Sequence, residues 1–123
     1  PDGLQEEYET ALYAIGGKPQ WEGYEGGKKY QPTDFISYMA SDEKHSGQGV
    51  IFGTKPIEIL VPYIKVLTRR DDLVVEPFCG SGSTLIASAK LKRRCYIMEK
   101  SPTYAEVALK RWEKLTGQKR VKL

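Results

Sequence analysis

The apolar positions of this chain fall into two regimes: clear periods from Ile57 onward, and little order before it. Ile57, Leu60, Val61, Ile64 and Leu67 recur in steps of three and four, the spacing of a helix with one buried face. Thr54 is placed to cap that helix and Pro56 suits its first turn. Pro62 falls inside the pattern and removes a backbone donor, which predicts a kink or a later helix start. Arg69-Arg70 close the helix in the sense its dipole favours. Leu73-Val74-Val75 reads as a short strand, residues 83–91 as a helix, and Cys95-Tyr96-Ile97-Met98 as a second strand. Ser101 and Pro102 form a helix start, Tyr104, Val107, Ala108, Trp112 and Leu115 its apolar face, and Gly117 its stop. The order helix, strand, helix, strand, helix predicts an α/β fold, its two strands parallel through a right-handed crossover.

Upstream, residues 6–14 read as a strand that ends in a turn at Ile15-Gly16-Gly17, with a helix as the alternative because Ala and Glu favour one. Residues 16–49 show little periodicity and read as a long loop, the kind that in a compact domain usually carries function or moves.

With 123 residues and 40% apolar content, the chain is long enough for one domain with a real core. No apolar run is long enough to span a membrane, and no signal-peptide pattern is present. The start at Pro1, without a methionine, reads as a trimmed, processed or incomplete product. Two cysteines, Cys79 and Cys95, are too few for a disulfide scaffold and suggest a reduced intracellular protein. One histidine, His45, and no paired-cysteine spacing argue against a metal site. The net charge of +3 conceals an asymmetry: residues 1–48 carry −5 and residues 49–123 carry +8. A basic second half suits a polyanionic partner, but Arg69-Arg70, Arg93-Arg94 and the last helix's cations also read as simply solvated.

The chemistry concentrates in Glu76-Pro77-Phe78-Cys79-Gly80-Ser81-Gly82. A strand runs into an acid, and two glycines lead into Ser83-Thr84-Leu85 at a helix N-terminus. Gly80 and Gly82 let the backbone turn sharply and let a ligand come close. The loop amides and helix N-terminus then face an anion or carboxylate. Glu99 ends the next strand 19 residues after Gly80, the distance at which an acid in nucleotide-binding βαβ units accepts from ribose hydroxyls. Leu85 stands where a dinucleotide fingerprint needs its third glycine, and no phosphate-loop lysine follows, so NAD and nucleoside triphosphates fit poorly.

These segments resemble the S-adenosylmethionine-dependent DNA amino-methyltransferases. Glu76-Pro-Phe-Cys-Gly-Ser-Gly-Ser-Thr84 is similar to that family's Asp-Pro-Phe-x-Gly-Ser-Gly-Thr-Thr motif. Thr54-Lys55-Pro56 with Glu58-Ile59-Leu60 resembles its Lys-Pro-x-Glu-Leu-Leu motif, and Ile97-Met98-Glu99-Lys-Ser-Pro-Thr-Tyr104 its Gly-Ile-Glu-x-x-Pro-x-Tyr segment. The tail Arg111-Trp112-Glu113-Lys-Leu-Thr116-Gly117 is similar to the ends of phage and prophage members. The resemblance covers about residues 50–117 in order and spacing. It implies a Rossmann-like methyltransferase fold, here partial, and S-adenosylmethionine as cofactor. Glu76, Phe78, Gly80, Ser81 and Gly82 would form the cofactor loop, Glu99 would hold the ribose, and Lys55 and Pro56 would sit by the methionine moiety. On the residues alone, Phe78 equally fits core packing beneath the loop, and Lys55 a surface turn.

The chain also departs from the family pattern. Where the family usually reads His-Pro-Thr-x-Lys-Pro, this chain reads Ile51-Phe52-Gly53-Thr54-Lys55-Pro56, and Glu76 replaces the commoner aspartate. The (Asp/Asn/Ser)-Pro-Pro-aromatic tetrapeptide, which holds the amine of a flipped base, does not occur. Ser101-Pro102-Thr103-Tyr104 lacks the second proline and reads as a helix start. No catalytic residue is therefore expected in this chain. In the subclass whose catalytic motif comes first, residues 1–18 would be the last strand of the catalytic half and 19–49 would occupy the target-recognition position. Residues 50–123 would be the cofactor-binding part of one domain that extends beyond this chain. Trp21, Tyr24, Tyr30 and Tyr38, interleaved with Lys28 and Lys29, could stack on bases or meet phosphates, though the acidity of 1–48 weighs toward an ordinary loop.

The resulting expectation is methyl transfer to adenine N6 or cytosine N4 of double-stranded DNA, the base flipped, with the catalytic part supplied by a missing N-terminal half or a partner subunit. The rival readings are a non-catalytic cofactor- or DNA-binding module and a methyltransferase acting on RNA or protein.

Overall fold

In a computed structural model of the chain, the structure describes residues 10–17, 24–25, 28–29, 34–38 and 54–122. Two short strands, β1 (Tyr24–Glu25) and β2 (Lys28–Lys29), pair antiparallel with Tyr24 opposite Lys29. The rest is one continuous α/β unit: α1 (Ile57–Leu67), β3 (Leu73–Glu76), α2 (Ser83–Lys90), β4 (Arg94–Ile97) and α3 (Pro102–Thr116). β3 and β4 pair in parallel, Leu73 opposite Arg94 and Glu76 opposite Ile97, with α2 as the crossover. This is the βαβ unit the periodicity predicts, within a residue or two at each boundary, and a partial Rossmann-like arrangement of parallel strands with flanking helices.

α2 is the centre of the packing. It lies on both strands and also contacts α1 and α3. Ile86, Ala87 and Ser88 of α2, Val66 of α1 and Ala108 of α3 are the buried residues of the small core that these helices share. Along β3 and β4 the side chains alternate between half-buried and exposed. Val74, Glu76, Cys95 and Ile97 are half-buried, whereas Val75 and Tyr96, opposite each other in register, remain 63% and 65% exposed. One face of this parallel sheet is therefore apolar and open, although parallel sheets are normally covered on both.

Four details differ from the sequence reading. Residues 10–14 form no strand: Leu12 and Tyr13 are exposed, and a strand has no stability without a partner to pair with. Residues 6–9 lie outside the described residues. The stretch read as a loop contains the β1–β2 pair, whose two-residue separation by Gly26-Gly27 is a hairpin signal. α1 begins at Ile57 and runs through Pro62, so the later start does not occur. Its N-cap is Pro56 with no side-chain cap, because the Thr54 hydroxyl donates instead to Ser81 Oγ at 3.0 Å.

Arg93 is also not a solvated cation. Its Nη2 and Nε donate to the Thr68 carbonyl and hydroxyl at 2.7 and 3.0 Å, and Nη1 reaches the Leu91 carbonyl. It thereby satisfies the C-terminal end of α1 and ties it to the turn before β4. α3 starts as expected: Ser101 is the N-cap, its hydroxyl accepting from the Tyr104 amide at 3.4 Å, and Pro102 opens the helix. Gly117, at φ 70°, ends it. Beyond it the chain folds back, and Arg120 makes a two-pronged ion pair with Glu106. Among the described residues, no helix is long and apolar enough to cross a membrane.

Candidate cofactor-binding site

The loop Pro77–Gly82 leaves the C-terminal end of β3 and enters α2. Its two flanking acids hold it at both ends. Glu76 Oε1 accepts the Phe78 amide at 2.8 Å, and Oε2 accepts the Thr84 hydroxyl at 2.9 Å. One carboxylate thus closes strand, loop and helix into a unit. Glu99 does the same from β4: Oε2 accepts the Gly80 amide at 2.7 Å and Oε1 the Ser101 amide at 2.8 Å. The Ser101 and Gly80 amides hold the Glu99 carboxyl below the usual carboxylate range. Between the acids, the Cys79 amide donates to the Met98 carbonyl and the Gly82 amide to the Cys79 carbonyl, each at 3.0 Å.

The two glycines are needed for different reasons. Gly80 has φ 55°, and a side chain there would point into open space. Its requirement is conformational, and it leaves a gap above the loop. Gly82 has φ 90° and lies against α3, where an added Cβ would stand 2.7 Å from Ala108 Cβ. Gly82 therefore allows the two helices to approach. Gly82 is the N-cap of α2 without a side-chain cap, and the carboxylate nearest this helix start is Glu76, which accepts the Thr84 hydroxyl in the first turn.

The segment before α1 completes the wall. The Ser83 hydroxyl donates to the Lys55 carbonyl at 2.5 Å, and Thr54 bonds Ser81. Lys55 and Pro56 are thereby brought beside Gly80, Ser81 and Gly82, although 25 or so residues separate them in the chain. Of the residues singled out in the sequence, Lys55, Pro56, Glu76, Gly80, Ser81, Gly82 and Glu99 converge on this one loop. Phe78 is in the loop but is 88% exposed, which rules out core packing beneath it. Cys79 is buried, and burial, followed by the charges of Glu76 and Glu99, pushes its thiol up to about 11. It is a protonated packing group at neutral pH rather than a nucleophile.

One site residue escaped the sequence reading. Arg111 Nη1 donates to the Ser81 carbonyl at 2.7 Å and to Ser81 Oγ at 3.1 Å. Its signal was present: Arg111 follows Ala108 by three and precedes Leu115 by four, a cation on the inward stripe of α3. Among the described residues, no group of three or more His, Cys, Asp or Glu is placed to hold a metal ion. Tyr38 is exposed, and the side chains of Trp21, Tyr24, Lys28, Lys29 and Tyr30 lie outside the described residues.

A family model described as DNA methylase matches residues 5–110. The chain belongs to this family. Among curated DNA-methylase relatives, the type II methyltransferase M2.MboI of Moraxella bovis is 36% identical over 80 residues, which are 65% of this chain and 27% of M2.MboI. The type II methyltransferase M.HindIII of Haemophilus influenzae is 31% identical over 64 residues, 52% of this chain and 21% of that protein. Among solved structures, the M1.HpyAVI–SAM complex aligns at 32% identity and a TM-score of 0.48, covering 49% of this chain and 31% of the other. The chain thus spans about a quarter of the length of the curated methylases it matches.

Proposed function

We propose that this chain supplies the cofactor-binding half of a DNA amino-methyltransferase that uses S-adenosylmethionine. The observation that carries the reading is the Glu99 carboxylate at the C-terminal end of β4, bonded to the Gly80 amide of the glycine loop. Backbone amides orient both of its oxygens toward the loop, where a ribose hydroxyl would donate to them. Phe78, exposed at the rim, offers a flat face to the adenine. The open space over Gly80 admits the nucleoside, and Lys55 and Pro56 flank the methionine end. Membership of the DNA methylase family supports DNA as the substrate, with the target base flipped out.

The transfer needs no metal. Bound S-adenosylmethionine would supply the methyl group, and the glycine loop, Glu99, Lys55 and Pro56 would hold its sulfonium toward the exocyclic amine. These residues therefore bind and aim the sulfonium. The base-activating tetrapeptide comes from polypeptide outside the 123 residues, either a preceding half or a partner subunit. The protein would act where DNA lies, in the cytoplasm of a bacterial, archaeal or phage-infected cell. The test is calorimetry with S-adenosylmethionine on the chain and on Glu99→Ala. Loss of the charged acceptor should weaken binding at least tenfold, roughly one hydrogen bond to a charged group. Unchanged affinity in Glu99→Ala removes the ribose assignment. Methylation of DNA by this chain alone would show that it holds its own catalytic residues.

A further inference from the structure

We infer that Arg111 is a positioning residue for the cofactor loop and acts on it through Ser81, an inference that rests on the cofactor reading above. The guanidinium comes from the middle of α3, half-buried, and both of its hydrogen bonds end on Ser81. Among the described residues, no carboxylate lies within ion-pair distance of it. Burial works against its charge, yet a guanidinium remains protonated. It also stands beside the N-terminus of α2, where a cation opposes the helix dipole. Neither placement favours stability, so what the charge holds in place is the informative part.

It holds one peptide plane. The Ser81 carbonyl belongs to the same peptide as the Gly82 amide, which donates to the Cys79 carbonyl. Fixing that carbonyl fixes the Cys79–Gly82 turn from the α3 side, while Glu99 holds the Gly80 amide from the β4 side. The Ser81 hydroxyl, which accepts from Arg111, is bonded in turn to Thr54, next to Lys55. One guanidinium thereby holds the Ser81 peptide and, through the Ser81 hydroxyl, meets the Thr54 contact. Without it, a buried carbonyl loses its donor and the plane is free to rotate.

The test uses Arg111→Met, which keeps the length and apolar stem, and Arg111→Lys, which restores a charged donor. Amide exchange is followed by NMR, and S-adenosylmethionine binding by calorimetry. In Arg111→Met, the Gly82 and Gly80 amides should exchange about tenfold faster with the centres of α2 and α3 unchanged, and cofactor affinity should fall about tenfold, the loss of one charge-assisted bond. Arg111→Lys should recover most of both. Unchanged exchange at Gly80 and Gly82, or a uniform rise throughout α2 and α3, overturns the inference, the latter because it marks a general packing role. Cofactor affinity that Arg111→Met leaves intact overturns it as well. A wild-type chain that gives no heat with S-adenosylmethionine defeats the cofactor reading instead, and the exchange data alone then decide whether Arg111 sets the loop.

Discussion

Gly82→Ala is the sharpest test of how the loop is built. Two costs are added at one atom. Gly82 has φ 90°, and moving an L-residue into the left-handed region costs about 1–2 kcal/mol. The new Cβ would also stand 2.7 Å from Ala108 Cβ and 3.0 Å from Ala108 Cα, so α3 must retreat by several tenths of an ångström. Overpacking of that kind costs roughly 1–3 kcal/mol. The sum is about 3 kcal/mol, which at a urea slope near 1.5 kcal/mol/M lowers the midpoint by about 2 M. Gly80→Ala is the internal control: it shares a positive φ but meets nothing within 4 Å, so it should cost only about 1 kcal/mol. Ala108→Gly alone costs about 1 kcal/mol of helix propensity. Combined with Gly82→Ala it should return part of the steric loss, a coupling of about 1–2 kcal/mol that exceeds the additivity error of a double-mutant cycle. Equal losses for Gly82→Ala and Gly80→Ala, or strict additivity with Ala108→Gly, would refute the account of Gly82 as the contact point of α2 and α3.

Arg93→Ala should destabilise by about 1–3 kcal/mol in urea melts, because the buried-side carbonyl of Thr68 loses its donor, and Arg93→Lys should recover only part of it, a single ammonium being unable to span three acceptors. Glu106 is held at about 2, mainly by its hydrogen bonds with Arg120, from an ordinary value of 4.5. A lowered carboxyl stabilises the fold above the ordinary value and loses that contribution as pH falls through about 2, so the tail should detach from α3 between roughly pH 4.5 and 2. Carboxyl titration by NMR checks this, with Arg120→Ala returning Glu106 to the ordinary range. Cys79, protonated up to about pH 11 and buried, should react with iodoacetamide at pH 7.5 far more slowly than a small-molecule thiol, read by mass spectrometry on the intact fold. Faster alkylation than the free thiol would mean the loop is open.

Much of the βαβ unit was legible because its signals are local. The Ile57–Leu67 period, the Ser101-Pro102 start and the Gly117 stop each depend on neighbours in sequence. The nearness of Glu99 to the glycine loop was legible from the 19-residue spacing, but its bond to the Gly80 amide was not. What could not be read were the cross-connections. Thr54 reads as a helix cap but bonds to Ser81, and Arg93 reads as a turn cation but closes α1. Both depend on which elements become neighbours, and sequence spacing does not carry that information. Arg111 was half-legible: its place on the inward stripe of α3 was visible, its Ser81 partner was not. The strand reading of residues 6–14 does not hold for the described part, residues 10–14, for the same reason. Alternating side chains describe a strand only once a partner strand is present, and none lies beside residues 10–14 among the described residues.

The open face of the sheet makes concentration a variable of this chain's stability. Val75 and Tyr96 lie opposite each other on the side away from α2, with nothing among the described residues covering them. Whatever polypeptide settles there binds the folded state and not the unfolded one, so its binding free energy adds to folding through mass action. The melting temperature of the isolated chain would then define a floor, above which the partnered value rises with the logarithm of partner concentration, and Val75→Asp would remove that rise while leaving the floor nearly unchanged.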